Sequence, residues 1–241
     1  MINLYEIKRL GDYDYIQDTV PNANGTWLCS DDITGYTKGY SYQVEQATGG
    51  GIATRIEVNK DNQILSSIYP TIETVCEWLN NYFYVKRQNN SECKYDNENG
   101  SLTIRESKEY QNNVGTYGNY IFSNQTISGV QINVFQNNDL VRLTNSIRNN
   151  YITSITDVTS DVLTIDNENC ANTTEDCRIM LMVIPNSVQK AICQMIYYDV
   201  FIKENPDNLQ SESIGNYSYT KATVLVGSLY YPPELVSGLQ A

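Results

Sequence analysis

Residues 178–202 read RIMLMVIPNSVQKAICQMIYYDVFI, and this stretch decides the fold class. Arg178 to Ile184 is short and almost wholly apolar, as expected of a strand covered on both faces. Pro185 breaks that run, and the apolar spacing then changes from continuous to three and four. Val188, Ala191, Ile192, Met195, Tyr198 and Ile202 fall on one stripe of an amphipathic helix. Asn186 with Gln189 three residues on has the capping-box pattern, and Asn205-Pro206 supplies a stop. A buried strand running into a helix over about residues 187–204 predicts a mixed chain.

Upstream, the same strand signal repeats. Leu102–Arg105, Gly118–Phe122, Gly129–Phe135, Leu140–Leu143, Tyr151–Val158 and Val162–Ile165 are short β-prone runs separated by Asn, Gly and Asp turns. With Arg178–Ile184 they predict an inserted β-sandwich or barrel-like module over 99–183. Before it, Ile72, Val75, Cys76, Leu79, Tyr82 and Phe83 make another helical stripe. A helix over about 71–87 is expected there, opening after Pro70 and closing near Asn89-Asn90-Ser91.

Residues 1–66 alternate in period two between turns at Pro21–Gly25, Ser30–Asp32 and Gly49–Gly51, which predicts a small antiparallel β module. The Gly triplet lacks the strand–loop–helix setting and the Lys-Ser/Thr of a phosphate loop, so it reads as a plain loop. The expected fold is therefore α+β. Segments 67–98 and 184–206 form a helical core from two distant helices, the β modules at 1–66 and 99–183 are attached to it, and 207–241 is an extended arm with a short terminal helix.

Composition narrows the function classes. Charged residues make up 18% of the 241-residue chain, the net charge is −12, and the sequence pI is about 4.4. No Lys/Arg run exceeds the pairs Lys8-Arg9 and Lys86-Arg87, so no basic face for gripping phosphates is expected. There are 20 Tyr against 4 Phe and 2 Trp. Codon bias of an AT-rich genome accounts for the Tyr and Asn excess as readily as interface use does.

With no His, Ser-His and Cys-His nucleophile systems and zinc patterns are absent. Paired carboxylates remain formally open, but no local motif supports them, so no enzyme activity and no cofactor are expected. The six cysteines contain no C-x-x-C pair. Cys76 and Cys193 sit on helical stripes as small buried hydrophobes, while the spacing leaves a Cys170–Cys177 bridge across a loop open. The opening MINLYEIKRLGDYDYI has no charged segment leading into an apolar one, and no run reaches membrane-span length. Neither signal peptide nor membrane partner is expected.

Several motifs in order resemble a known family. Asn138-Asp139-Leu140-Val141-Arg142-Leu143 is followed by Asn150-Tyr151-Ile152-Thr153-Ser154-Ile155 and Leu163-Thr164-Ile165, then by the proline-led helix from Ile184-Pro185-Asn186. After it come Ser211-Glu212-Ser213-Ile214-Gly215-Asn216-Tyr217-Ser218-Tyr219 and Pro233-Glu234-Leu235-Val236 with Leu239. This succession resembles the head-tail connector (adaptor, neck ring) proteins of tailed bacteriophages over about 170 residues, leaving the first sixty unexplained. The Asn- and Tyr-rich, enlarged build is similar to ring proteins of crAss-like phages. Small connectors are mostly helical and shorter, so the long β insertion departs from the pattern.

The resemblance implies a structural virion protein at the portal vertex, assembled in the bacterial host cytoplasm. It implies a homo-oligomeric ring, usually a dodecamer, that docks on the portal protein, extends the DNA channel and meets neighbouring neck and tail rings. Genomic DNA would pass without specific binding. Ser211, Glu212, Ser213, Ile214, Gly215, Asn216, Tyr217, Ser218 and Tyr219 would form an arm that orders on a neighbour or the portal, against the plainer reading of a loop in its own domain. Asp31, Asp32, Asp157, Asp161, Glu175 and Asp176 are candidate acidic channel positions. The Tyr- and Asn-rich β segments also suit a phage fibre or carbohydrate-binding surface module.

Overall fold

The computed structural model describes residues 2–47, 50–85, 114–129, 135–159, 161–203, 211–214, 217–220, 224–226, 229–233 and 239. The chain divides into two units, one of residues 1–80 with 185–241 and one of residues 81–184. It is an α+β protein. Among the described residues, no helix is long and apolar enough to cross a membrane.

In the first unit, α1 (Leu4–Lys8) begins where the Asn3 side chain accepts the Glu6 amide at 2.9 Å, an N-cap. Four strands follow, β1 (Tyr15–Gln17), β2 (Gly25–Cys29), β3 (Ser41–Ala47) and β4 (Gly50–Ile56), and they lie side by side in that order. β1 runs parallel to β2 and the other neighbours are antiparallel, so the sheet is mixed rather than wholly antiparallel. Alternation puts Trp27, Cys29, Tyr42 and Val44 together in a core. After the turn at Ser30–Asp32 the ladder resumes only at Ser41. Tyr36 instead folds back from a loop, and its ring lies within 5.2 Å of those of Trp27 and Tyr42, edge-on to both.

The first long helix is displaced from its expected place. α2 spans Val58–Trp78, so it starts thirteen residues before the predicted 71 and stops before 87. Pro70 lies inside it, where it has no N–H to give to the Ser66 carbonyl. The buried stripe runs Asp61, Ile64, Ile68, Ile72, Val75 and Cys76, long enough to carry the helix through the proline. Each such aliphatic side chain contributes about 1.5–3 kcal/mol by burial. Asn80, at φ 49°, takes the left-handed conformation that ends the helix, and its amide bonds back to the Glu77 carbonyl at 3.0 Å. Tyr82 and Phe83 therefore belong to the second unit and not to the stripe.

The second long helix, α3 (Asn186–Tyr197), continues as a π-helical turn over Tyr198–Ile202, close to the expected 187–204. Its cap is Pro185 with no side-chain hydrogen bond, so the anticipated Asn186–Gln189 capping box does not form. α3 packs on α2 and α1, and the two distant helices do make the helical core. The tail is less extended than expected. β11 (Ser211–Ile214) pairs with β12 (Tyr217–Thr220), and β13 (Val224–Val226) pairs with β14 (Leu229–Tyr231), each as a two-stranded antiparallel ladder. Val226, Tyr231 and Leu239 are buried, and the Tyr231 hydroxyl donates to Asp199 at 2.5 Å, which ties the chain end to the π turn. The expected terminal helix over 232–239 lies largely outside the described residues.

The second unit is a closed barrel of six antiparallel strands, β5 (Gly115–Ser123), β6 (Thr126–Ser128), β7 (Leu140–Thr144), β8 (Tyr151–Val158), β9 (Val162–Ile165) and β10 (Thr173–Met182). Closure leaves no sheet edge, because β10 pairs with both β5 and β7. Inward residues Tyr120, Phe122, Ile127, Val141, Leu143, Ile155, Leu163, Cys177 and Ile179 fill it. β10 begins five residues earlier than the apolar run suggested, since Thr173–Cys177 pairs with β5 despite its polar alternation. Met180 and Met182 are buried on its other face, as the apolar run required. The strand expected at Leu102–Arg105, and all but the ends of the one at Gly129–Phe135, lie outside the described residues.

Candidate interaction surfaces

The arm residues are placed by their backbone register. Ser211 pairs with Thr220, Glu212 with Tyr219, Ser213 with Ser218 and Ile214 with Tyr217, while Gly215 and Asn216 lie outside the described residues. Among the described residues, no third strand joins these two. An isolated pair of strands is at best marginally stable in water.

A second unfinished surface is the outer edge of the four-stranded sheet. β4 has β3 on one side and, among the described residues, no strand on the other. Ile52 on this edge is 63% exposed. Register places Ile52, Thr54 and Ile56 on the face shared with Glu45, Gln43 and Ser41. The opposite edge, β1, is only three residues long. Short edge strands are one way proteins blunt unwanted pairing, and β4 lacks that protection.

The β4–α2 junction is fixed by a buried ionic network. Lys8 is fully buried, and its ammonium group reaches Asp61 at 2.6 Å, the Ser41 hydroxyl at 2.7 Å and Glu57 at 3.2 Å. Asp61 is also fully buried and accepts a second bond from Arg55 at 3.1 Å. Glu57 accepts from the Ser41 and Tyr13 hydroxyls at 2.8 and 2.9 Å. Lys8 and Arg55 thus face Asp61 and Glu57, and the exposed Lys60 approaches Glu57 at 3.9 Å, so the buried carboxylates are compensated. Burial alone would raise the Glu57 carboxyl, but the Ser41 hydroxyl, the Lys8 ammonium and the Tyr13 hydroxyl together hold it below its ordinary value. Burial, reinforced by the Glu57 charge, pushes the Tyr13 phenol up. Glu57 has φ 61°, a left-handed conformation costing a non-Gly residue about 1–3 kcal/mol, and these bonds hold it there. Sequence reading passed over this network, although Asp61 on an apolar helix stripe is the signal that marks it.

In the barrel unit, the β7–β8 loop is organised around Glu175. Its carboxylate accepts from the Ser146 hydroxyl at 2.5 Å, the Ile147 amide at 2.7 Å, the Asn149 side chain at 2.9 Å and the Arg148 amide at 3.3 Å. These donors overcome the effect of burial and keep the carboxyl below its ordinary value. The loop tip presents Ile147 at 88% exposure. Glu175 is therefore a loop anchor, which corrects its place among the acidic channel candidates: it is buried and fully engaged. Asp31, Asp32, Asp157, Asp161 and Asp176 are exposed, the first two in one unit and the other three in the other.

The five described cysteines, Cys29, Cys76, Cys170, Cys177 and Cys193, are free, so Cys170 and Cys177 are not bridged. Cys177 lines the barrel core, and burial pushes its thiol up to about 12. Among the described residues, no group of three His, Cys, Asp or Glu side chains could hold a metal ion. No protein-family model matches the chain, and no curated protein sequence matches it.

Proposed function

We propose that this chain is a structural subunit of the neck of a tailed bacteriophage, one segment of a closed ring between portal and tail through which the genome passes. The observation that carries the reading is a pair of unlike unfinished β surfaces in one unit. One is the seven-residue edge strand β4, unpaired on its outer side among the described residues, and the other is the two-stranded ladder β11–β12. A subunit with two different complementary surfaces builds heterologous contacts, and heterologous contacts that close on rotation make rings. The family resemblance of the motifs from Asn138 to Leu239 supplies the phage context and the dodecameric copy number.

The charge supports the same reading. With a net charge of −12, the surface repels a polyphosphate, so DNA slides past it without adhering. In this role the chain is a virion protein, binds no cofactor and carries out no chemistry of its own. It assembles in the host cytoplasm with the portal above it and the next neck or tail ring below. Electron microscopy of the purified chain, alone and mixed with the portal of the same phage, tests this. Annular particles that stack coaxially on the portal are expected. A monomer that ignores the portal but binds sugars on a glycan array would instead support a fibre or carbohydrate-binding module.

A further inference from the structure

We infer that Lys8 and Asp61 condense into an isopeptide bond inside the chain, with Glu57 carrying the protons, so that α1 becomes covalently tied to α2. The reaction is a single modification of the chain by itself, with no turnover, and it goes beyond the ring reading without depending on it. The Lys8 nitrogen lies 2.6 Å from Oδ1 of Asp61, and both side chains are fully buried. Oε2 of Glu57 stands 3.2 Å from the same nitrogen. The Ser41 and Tyr13 hydroxyls donate to that same Glu57 oxygen and fix it there, although the residue sits at φ 61°. A nucleophile, an acyl carbon and a proton carrier are thus held together, with the reacting pair shielded from water. Keeping an ion pair in such a place costs the hydration of two charges, whereas the amide made from the same groups carries none.

The steps balance without any co-reactant. One Lys8 proton passes through Glu57 to Oδ1 of Asp61, which leaves a neutral amine beside a neutral acid. The amine lone pair attacks Cγ, a C–N bond forms, and the carbonyl electron pair moves onto Oδ2. The Arg55 guanidinium, 3.1 Å from Oδ2, stabilises that charge. Glu57 then takes a second proton from the nitrogen and delivers it to Oδ1, which departs as water while Oδ2 regains its double bond. The third proton stays on the amide nitrogen, Glu57 ends as the carboxylate it began, and nothing is oxidised or reduced. The product closes a covalent loop across 53 residues of sequence, which constrains the unfolded chain as a disulfide does.

The test is the intact mass of the purified full chain in denaturant, where non-covalent contacts are gone. The wild type is expected to weigh one water molecule less than its sequence. Trypsin is expected to release residues 1–9 and 61–86 as one branched fragment, uncut after Lys8. Lys8→Met and Asp61→Ala should each keep the full mass. Glu57→Gln should condense about a hundredfold more slowly, or not at all, when mass is followed from synthesis onward.

A wild-type chain at its full sequence mass, with the two fragments separate, overturns the inference whatever the variants do. So does a water loss that survives Lys8→Met, which marks a succinimide or another dehydration instead. Glu57→Gln condensing as fast as the wild type overturns the role given to Glu57. None of these results touches the ring reading, which stands or falls on particle size.

Discussion

Replacing Lys8 by Met keeps the length and apolar stem of the side chain while deleting the one ammonium group that bonds Asp61, Ser41 and Glu57 together. Lys8 and Asp61 are both fully buried, so water cannot take over. Arg55 stays on Asp61 at 3.1 Å, but the buried Asp61 loses its 2.6 Å ammonium partner, and Glu57 keeps only the exposed Lys60 at 3.9 Å. Removing one partner of a buried ion pair costs about 3–5 kcal/mol, a large share of a domain's total stability. With an m-value of about 2 kcal/mol per molar, the urea midpoint falls by about 1.5–2.5 M.

Tryptophan emission is the right probe, because both tryptophans, Trp27 and Trp78, belong to the unit that holds the network. The double variant Lys8→Met/Asp61→Asn should lose less than the sum of the two single variants, since it removes charge on both sides. A Lys8→Met midpoint within about 0.5 M of wild type, or strict additivity in the double variant, would refute the reasoning.

Three further outcomes follow from the same geometry. Glu57 and Glu175 are both held below their ordinary values, so each contributes stability that is present above about pH 4–5 and lost as pH falls through its folded value. Glu57→Gln should flatten the acid limb of the tryptophan-detected stability profile, and Glu175→Gln that of the barrel strands followed by amide hydrogen exchange. Gly115→Ala would drive a methyl group into the Ile179 carbonyl oxygen across the β5–β10 pair. It should lower barrel stability by about 1–3 kcal/mol in denaturant melts while leaving the tryptophan transition in place. At pH 8, a thiol reagent should label half-buried Cys170 in the native protein and reach Cys177 only on unfolding, because burial keeps that thiol neutral.

Much of the architecture was legible where a period is enforced by burial. The apolar runs at Leu140–Leu143, Tyr151–Val158 and Val162–Ile165 become β7, β8 and β9 nearly unchanged, because one face of each must fill the barrel. The stripe from Val188 likewise becomes α3. What misled was punctuation. Pro70 reads as a helix start, yet tertiary packing of Ile64, Ile68 and Ile72 outweighs its local cost. The true start at Glu57 depends on Lys8 and Tyr13, far away in sequence.

β6 and the first half of β10 were missed for a related reason. Thr126–Ser128 is too short to show a period, and Thr173–Cys177 reads as polar turn until β5 is laid beside it. Of the proposed arm, the motif Ser211–Tyr219 stood out in the sequence as an arm or loop, and its pairing of Ser211–Ile214 with Tyr217–Thr220 did not. That no third strand joins the ladder among the described residues could be learned only from the fold.

The most direct measurement is the molar mass of the purified chain by light scattering across a wide concentration range. A closed ring predicts a single species many times the 27.4-kDa chain, its mass unchanged on dilution until it falls apart. A mass that stays at one chain throughout, or climbs without limit as an open filament does, would contradict the idea that two unlike β surfaces close this protein around an axis.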